Sequence, residues 1–240
     1  MSETRTAPSF ETFQGAAALA EAAAAVLGQA LERRMASDPG RARLMVTGGS
    51  TPVACYEVLR RRPLDWSRVD ISLTDDRFVP PDDPDSNERL VREHLLQGPA
   101  AAASFTPLWS DADSPDAAAV RAEPAIRALG TFDAVLLGVG SDGHICSLFP
   151  HSPELVEGLD PRARRLVIGV PQAGLAPYVP RITLTLPAIL NTRLVVILIS
   201  GAAKKQVVEA ALAGADLPVR AVLAQAKTPV RILWGSERTS

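Results

Sequence analysis

Cysteine is scarce in this chain of 240 residues: there are two, Cys55 and Cys146. They stand far apart without metal-ligand spacing, which excludes a disulfide framework and makes a reducing compartment the default. Lysine is nearly as rare, with Lys204, Lys205 and Lys227 set against 22 arginines. In a chain that almost always chooses arginine, each lysine is informative. No apolar run is long enough to cross a bilayer. The Ala-rich stretch 16–27 carries Glu21 and falls short of the roughly 20 residues a span needs. The segment 1–10 lacks the basic end and apolar core of a signal peptide, so the expected location is the cytoplasm. Charge of one sign is not in excess either, since the formal net charge is −2. That balance favours neither nucleic acid nor an anionic membrane as a partner.

What is present is an ordinary globular composition, 47% apolar and 22% charged, in a chain long enough for a sizeable core. There is no internal repeat and no low-complexity tail, and no break divides the chain, so residues 1–240 are expected to form one domain. Residues 10–35 read as an amphipathic helix. Phe13, Ala17, Ala20, Ala24, Leu27 and Leu31 recur at steps of three and four, and Ser37-Asp-Pro-Gly40 stops it. Short apolar runs of strand length lie at 44–47, 69–74, 134–137, 166–170, 182–186, 194–200 and 230–234, with a weaker one at 105–109. Helical segments alternate with them, ending near residue 62 and covering about 86–97, 116–129, 201–213 and 219–226. The alternation predicts an α/β fold: a three-layer αβα sandwich around a mostly parallel, Rossmann-like sheet.

The stretch 133–150 organises the chemistry. The run 134–137 breaks into Gly138, Gly140 and Gly143, which enclose Asp142 and are followed by His144. Glycine lets the backbone turn sharply and approach a ligand. A carboxylate and an imidazole just past the carboxyl end of a buried strand sit where open α/β sheets keep their sites. Gly138-x-Gly-x-x-Gly143 formally matches a dinucleotide fingerprint. However, Pro150 cuts off the helix that motif needs, and the 166–170 strand runs into Pro171-Gln-Ala-Gly174 without an acid. Ser141 lacks the glycine spacing of a nucleophile elbow. Cys146 is more simply a packed residue, and His144 and His151 have no metal-ligating cluster around them. The role that remains for His144 is general base or acid, with Asp142 orienting it or the substrate. A loop histidine satisfied by backbone fits the residues equally well.

Three further segments bear on anions. In Gly48-Gly-Ser-Thr-Pro52, free N–H groups at a helix start and two hydroxyls suit a phosphate. A tight turn with Thr51 as N-cap and Pro52 in the first helical position explains the pattern as well. Arg77 follows Asp75 and Asp76. It is either a forked donor to a phosphate or carboxylate or, more simply, an arginine paired with its acidic neighbours. Lys204 falls in the first turn of a helix, where a cation is disfavoured by roughly 0.3–1 kcal/mol. A bound anion reverses that sign, so phosphate binding is the better reading. Lys205 points about 100° away around the helix, toward the surface.

Taken together these motifs resemble, in order and over nearly the whole chain, the 6-phosphogluconolactonases of the glucosamine-6-phosphate isomerase/deaminase-like superfamily. Gly48-Gly-Ser-Thr-Pro52 is similar to the family's sugar-phosphate loop, and Thr74-Asp-Asp-Arg-Phe-Val-Pro80 with Ser86-Asn87 to its second signature. The segment 138–150 resembles Gly-x-Gly-x-Asp-Gly-His-x-x-Ser-Leu-Phe-Pro. Pro180-Arg-Ile-Thr-Leu-Thr-Leu-Pro187 and Ser200-Gly-Ala-Ala-Lys204 resemble its two C-terminal signatures. The family more often has Glu at the place of Asp76, and Thr-Ala at Ile145-Cys146. The deaminase branch continues its Asp-Gly-His into Phe-Asn-Glu-Pro, whereas this chain has Ser147-Leu-Phe-Pro150, which favours the lactonase branch.

The resemblance implies hydrolysis of 6-phospho-D-glucono-1,5-lactone in the oxidative pentose phosphate pathway, with no cofactor and no metal. It implies His144 as the base that activates water, with Asp142 beside it. It implies substrate or phosphate contacts from Gly48, Gly49, Ser50, Thr51, Asp75, Arg77, Gly140, Gly143, Arg181 and Lys204. Backbone N–H groups between Gly140 and Gly143 are the expected oxyanion donors. The expected partner is a small phosphosugar lactone, the expected state a monomer or small homo-oligomer. The rivals are an aminosugar-phosphate deaminase/isomerase and a non-catalytic sugar-phosphate sensor.

Overall fold

The computed structural model describes residues 7–37 and 39–236. The elements are β1 (Ser9–Gln14), α1 (Gly15–Ser37), β2 (Ala42–Val46), α2 (Ser50–Leu59), β3 (Val69–Leu73), β4 (Asp75–Arg77), α3 (Asn87–His94), β5 (Ser104–Thr106), α4 (Pro115–Leu129), β6 (Ala134–Leu137), α5 (Leu155–Leu159), β7 (Val167–Val170), β8 (Arg181–Leu184), α6 (Leu186–Leu190), β9 (Val195–Ser200), α7 (Ala202–Leu212), α8 (Arg220–Leu223) and β10 (Val230–Ser236). Asp38, part of the expected helix stop, and residues 1–6, the first part of the segment read against a signal peptide, lie outside the described residues.

Seven strands form one sheet in the order β1-β10-β9-β6-β2-β3-β5, and every neighbouring pair in it is parallel. The continuous apolar runs explain why. In β6 and β9 successive side chains point to opposite faces, yet Ala134 to Leu137 and Val195 to Ile199 are all at most 2% exposed. Both faces are therefore covered, as a parallel sheet with helical crossovers requires. Each such Val, Leu or Ile contributes about 1.5–3 kcal/mol through burial. Among the described residues no helix is long and apolar enough to cross a membrane.

Three expectations are corrected. The N-terminal segment is not all helix: 9–14 is an edge strand, paired with β10 in register from Ser9↔Arg231 to Gln14↔Ser236. Gly15, at φ 81°, makes the break between strand and helix. The second helix starts earlier than expected. Its N-cap is Gly49, at φ 97°, so Pro52 is the third helical residue and Thr51 is not the cap. A glycine that reaches this backbone conformation without steric cost displaced the side-chain cap. Finally, not all strands join the main sheet. β4, β8 and β7 form a separate antiparallel sheet.

Candidate active site

Strand order decides which loops meet. β6 lies between β9 and β2, so the loop after β6 emerges between the start of α7, which follows β9, and the start of α2, which follows β2. Both helices begin at a glycine in the left-handed region, Gly49 at φ 97° and Gly201 at φ 85°. The first N–H groups of each helix have no partner within the helix and carry its positive pole. The histidine loop is thus flanked by two anion-attracting helix ends, at the carboxyl edge of the sheet where its order reverses. A cavity of about 300 Å³ opens there.

His144 faces this cavity. Its Nδ1 lies 2.6 Å from Asp142 Oδ1, and the same oxygen accepts the His144 backbone N–H at 3.2 Å. The two side chains are 22% and 28% exposed, so the pair is sheltered yet reachable from the cleft. With Nδ1–H donating to the carboxylate, Nε2 is left as the acceptor. Phe149 packs on the imidazole with ring centroids 4.8 Å apart. Gly140 makes room for the pair: a Cβ there would stand 2.0 Å from His144 Nδ1 and 2.5 Å from Asp142 Oδ1. Gly143, at φ 83°, turns the loop against Leu217.

The cationic wall comes from the small sheet and from α7. In the β4–β8 ladder Arg77 faces Arg181. The Arg77 guanidinium donates Nη1 to the carbonyl of Asp85 rather than to its acidic neighbours; the local pairing favoured by the sequence is not what forms. Arg181 is 4% exposed and donates Nη2 to the Pro177 carbonyl at 2.6 Å. Burial, and then the adjacent Arg77 charge, pushes its guanidinium below the ordinary value; an anion between the two relieves both costs. Lys204 lines the same cavity from the first turn of α7. Lys205 turns outward, pairing with Glu209 at 3.4 Å and lying over the Trp234 ring at 4.7 Å.

Asp75 and Asp76 divide their tasks. Asp75 lines the cleft and accepts the hydroxyls of Thr74 at 3.0 Å and Ser147 at 2.7 Å. Asp76 is fully buried and accepts backbone N–H groups of Arg77, Asn87 and Glu88 at 2.7, 2.6 and 3.1 Å. It therefore ties β4 to the first turn of α3. Burial raises its carboxyl to about 7, against the pull of those three donors.

Of the residues expected at the site, Gly48, Gly49, Asp75, Arg77, Gly140, His144, Arg181 and Lys204 line the cavity. Ser50, Thr51, Asp142 and Gly143 are not among its lining residues. Ser50 and Thr51 are the first helical residues of α2, beside the rim, and Asp142 stands behind His144. The expected oxyanion donors are also narrowed. The N–H of Gly140 donates to the His144 carbonyl and that of Gly143 to the Gly140 carbonyl, both at 3.0 Å. The N–H groups of Ser141 and Asp142 remain.

A family model described as glucosamine-6-phosphate isomerases/6-phosphogluconolactonase matches residues 14–234. The chain belongs to this family. It is 47% identical to a 6-phosphogluconolactonase of Caulobacter vibrioides, over 93% of this chain and 96% of that protein. It is 42% identical to one of Rhizobium meliloti, over 92% and 96%. A crystal structure of a 6-phosphogluconolactonase from Shewanella baltica superposes with a TM-score of 0.90 at 38% identity, covering 96% of this chain and 99% of that one.

Several cleft residues of this isomerase/lactonase-family chain were given no role at the site from the sequence, although Asn87, Ser147 and Phe149 stand within the signatures. Asn87 fills the space that Gly48 leaves empty: a Cβ on Gly48 would stand 1.9 Å from its Oδ1. Its Nδ2 donates to the Asp75 carbonyl at 2.9 Å. Ser147, Phe149, Cys146 and Leu175 also line the cavity. Burial raises the Cys146 thiol well above its ordinary range, which suits a packed cysteine rather than a nucleophile. The available signal was position: Ser147 and Phe149 sit within a few residues of the histidine, and Asn87 starts the helix after the Arg77 strand.

Proposed function

We propose that the protein is a 6-phosphogluconolactonase, hydrolysing 6-phospho-D-glucono-1,5-lactone to 6-phosphogluconate in the oxidative branch of the pentose phosphate pathway. One observation carries the reading. A carboxylate-tethered imidazole, 2.6 Å from Asp142, faces a cleft whose walls include Arg77, Arg181 and Lys204. A base at one place and an anion anchor at another fit a substrate with an electrophilic carbon and a distant phosphate. The similarity to 6-phosphogluconolactonases over nearly the whole chain supports it.

In the mechanism, His144 Nε2 takes a proton from water as the oxygen attacks the lactone C1. Asp142 holds the ring and stabilises the imidazolium. The developing oxyanion needs fixed donors, and the N–H of Ser141, which lines the cleft, is the candidate on this loop. As the tetrahedral intermediate collapses, the bond from C1 to the ring oxygen breaks and His144 returns its proton to that oxygen. Lys204, Arg77, Arg181 and the N–H groups at Gly49, Ser50 and Thr51 hold the phosphate, converting remote binding into orientation at C1. The cleft draws on residues from Thr47 to Lys204 and β1 closes against β10, which supports reading residues 1–240 as one domain. The same reading places the enzyme in the cytoplasm.

The test generates the lactone in situ with a dehydrogenase and follows its disappearance. Catalytic amounts of the protein are expected to accelerate the loss well beyond the spontaneous rate. Loss at the spontaneous rate overturns the proposal. Release of ammonia from glucosamine 6-phosphate would instead assign the other branch of the family.

A further inference from the structure

Ser147 lies three residues after His144 and is 1% exposed. It makes two side-by-side bonds to the small antiparallel sheet. Its Oγ donates to Asp75 Oδ2 at 2.7 Å, and its backbone N–H donates to Thr183 Oγ1 at 3.1 Å. Asp75 and Thr183 are direct partners in the β4–β8 ladder, and the next same-face pair along it is Arg77 and Arg181. The sheet that carries the two guanidiniums is therefore gripped, one pair away from them, by the loop that carries the imidazole.

Among the described residues, no strand of the small sheet pairs with a strand of the main sheet. The small sheet is joined to the main one through Thr74, which links β3 to β4 and bonds to Val46 and Leu184, while the two Ser147 bonds tie it directly to the histidine loop. The remaining Asp75 oxygen is held by Thr74, so the carboxylate is fixed on both sides while Ser147 is in place.

We propose that Ser147 is a positioning residue for the hydrolytic reaction: through Asp75 and Thr183 it fixes the His144 imidazole at the correct distance from the Arg77–Arg181 pair. The inference rests on the lactonase reading. It assigns Ser147 no contact with the substrate. Without the hydroxyl, the anion anchor remains complete and the base remains tethered to Asp142, but one of the two bonds that hold them in register is gone. A misplacement of about 1 Å is enough to cost a reaction up to 10²-fold.

The experiment compares wild type, Ser147→Ala, Asp75→Asn and the double variant in the lactone assay, with inorganic phosphate as a competitive probe of the anion anchor. Ser147→Ala is expected to lose about 10- to 100-fold in kcat, while the phosphate inhibition constant changes by less than about threefold, less than 1 kcal/mol. Adding Asp75→Asn to Ser147→Ala is expected to cost little more than the larger single effect, since both act on the same bond, the amide being a weaker acceptor than the carboxylate. Unchanged kcat in folded Ser147→Ala, losses that multiply in the double variant, or phosphate inhibition weakened in parallel with kcat overturn the proposal. Should Ser147→Ala not fold, Thr183→Val removes the acceptor of the second bond and is expected to give the same split between kcat and phosphate affinity; an unaffected kcat there overturns it too. An inactive wild type would instead count against the lactonase reading itself.

Discussion

At the scale of single residues, the site depends on a missing atom as much as on those present. Gly140 does not have positive φ, so alanine meets no backbone penalty there. Its Cβ would nonetheless overlap His144 Nδ1 at 2.0 Å. Gly140→Ala is expected to displace the imidazole and lower kcat by about 10²-fold, with circular dichroism unchanged. His144→Ala sets the limit, a fall of about 10²–10⁴-fold if the ring is the base; near-normal turnover there would refute the mechanism. Lys204 separates function from stability. A cation in the first turn of α7 opposes the helix dipole, at about 0.3–1 kcal/mol, and gains from an anion only when one is bound. Lys204→Ala should therefore lower kcat/KM while the melting temperature of the unliganded protein stays level or rises. A variant that loses both would mean the ammonium has a structural partner in the fold.

At the scale of elements, close packing ties the small sheet to its covering helix. A Cβ on Gly169 in β7 would stand 2.3 Å from the backbone N of Asp116, at the start of α4. The helix also serves the strand through Glu123, whose carboxylate accepts the N–H groups of Leu166 and Val167 at 3.0 and 3.1 Å. Gly169→Ala should force the two apart and destabilise the protein by roughly 1–3 kcal/mol, read as a lower urea midpoint. Elements buried on both faces were the legible ones. The run 134–137 was expected as a strand and is β6 to the residue, because burial on both faces writes a continuous apolar run into the sequence. β1 was not legible. It is an edge strand whose partner β10 lies more than 200 residues away, and Phe13 happened to continue the helical spacing of α1. β4 is three residues long and makes sense only beside β8. The site divides in the same way. His144, Gly48, Arg77 and Lys204 stand at strand ends, where sequence order already marks the chemistry. Asn87, Ser147 and Phe149 act through packing against residues remote in the chain or through ring stacking, which local pattern does not record.

At the scale of the whole molecule, buried acids set how stability follows pH. Burial raises the Asp76 carboxyl to about 7 and raises that of Asp133, which accepts the Arg43 N–H at 2.8 Å. An unfolded aspartate titrates near 3.9. Between about pH 4 and 7 the native state therefore holds more protons than the unfolded one, and stability falls as pH rises through that window. Glu11 works in the opposite sense. Its hydrogen bond to Arg231 lowers it, so its contribution is complete above the ordinary glutamate range near 4.3 and is lost only in acid. From about pH 5 upward the buried aspartates govern the slope. The urea midpoint of the wild type is expected to be higher near pH 5 than near pH 8, with Asp76 the main source. Asp76→Asn cannot titrate. It also turns an amide toward the Glu88 N–H that the carboxylate accepts, so its midpoint should be lower than wild type at pH 5 by an amount equivalent to roughly 1–3 kcal/mol but nearly flat up to pH 8. A wild-type midpoint that rises over this interval, or an Asp76→Asn variant with the wild-type slope, would show that the carboxyl stays ionised throughout, held by its three backbone donors.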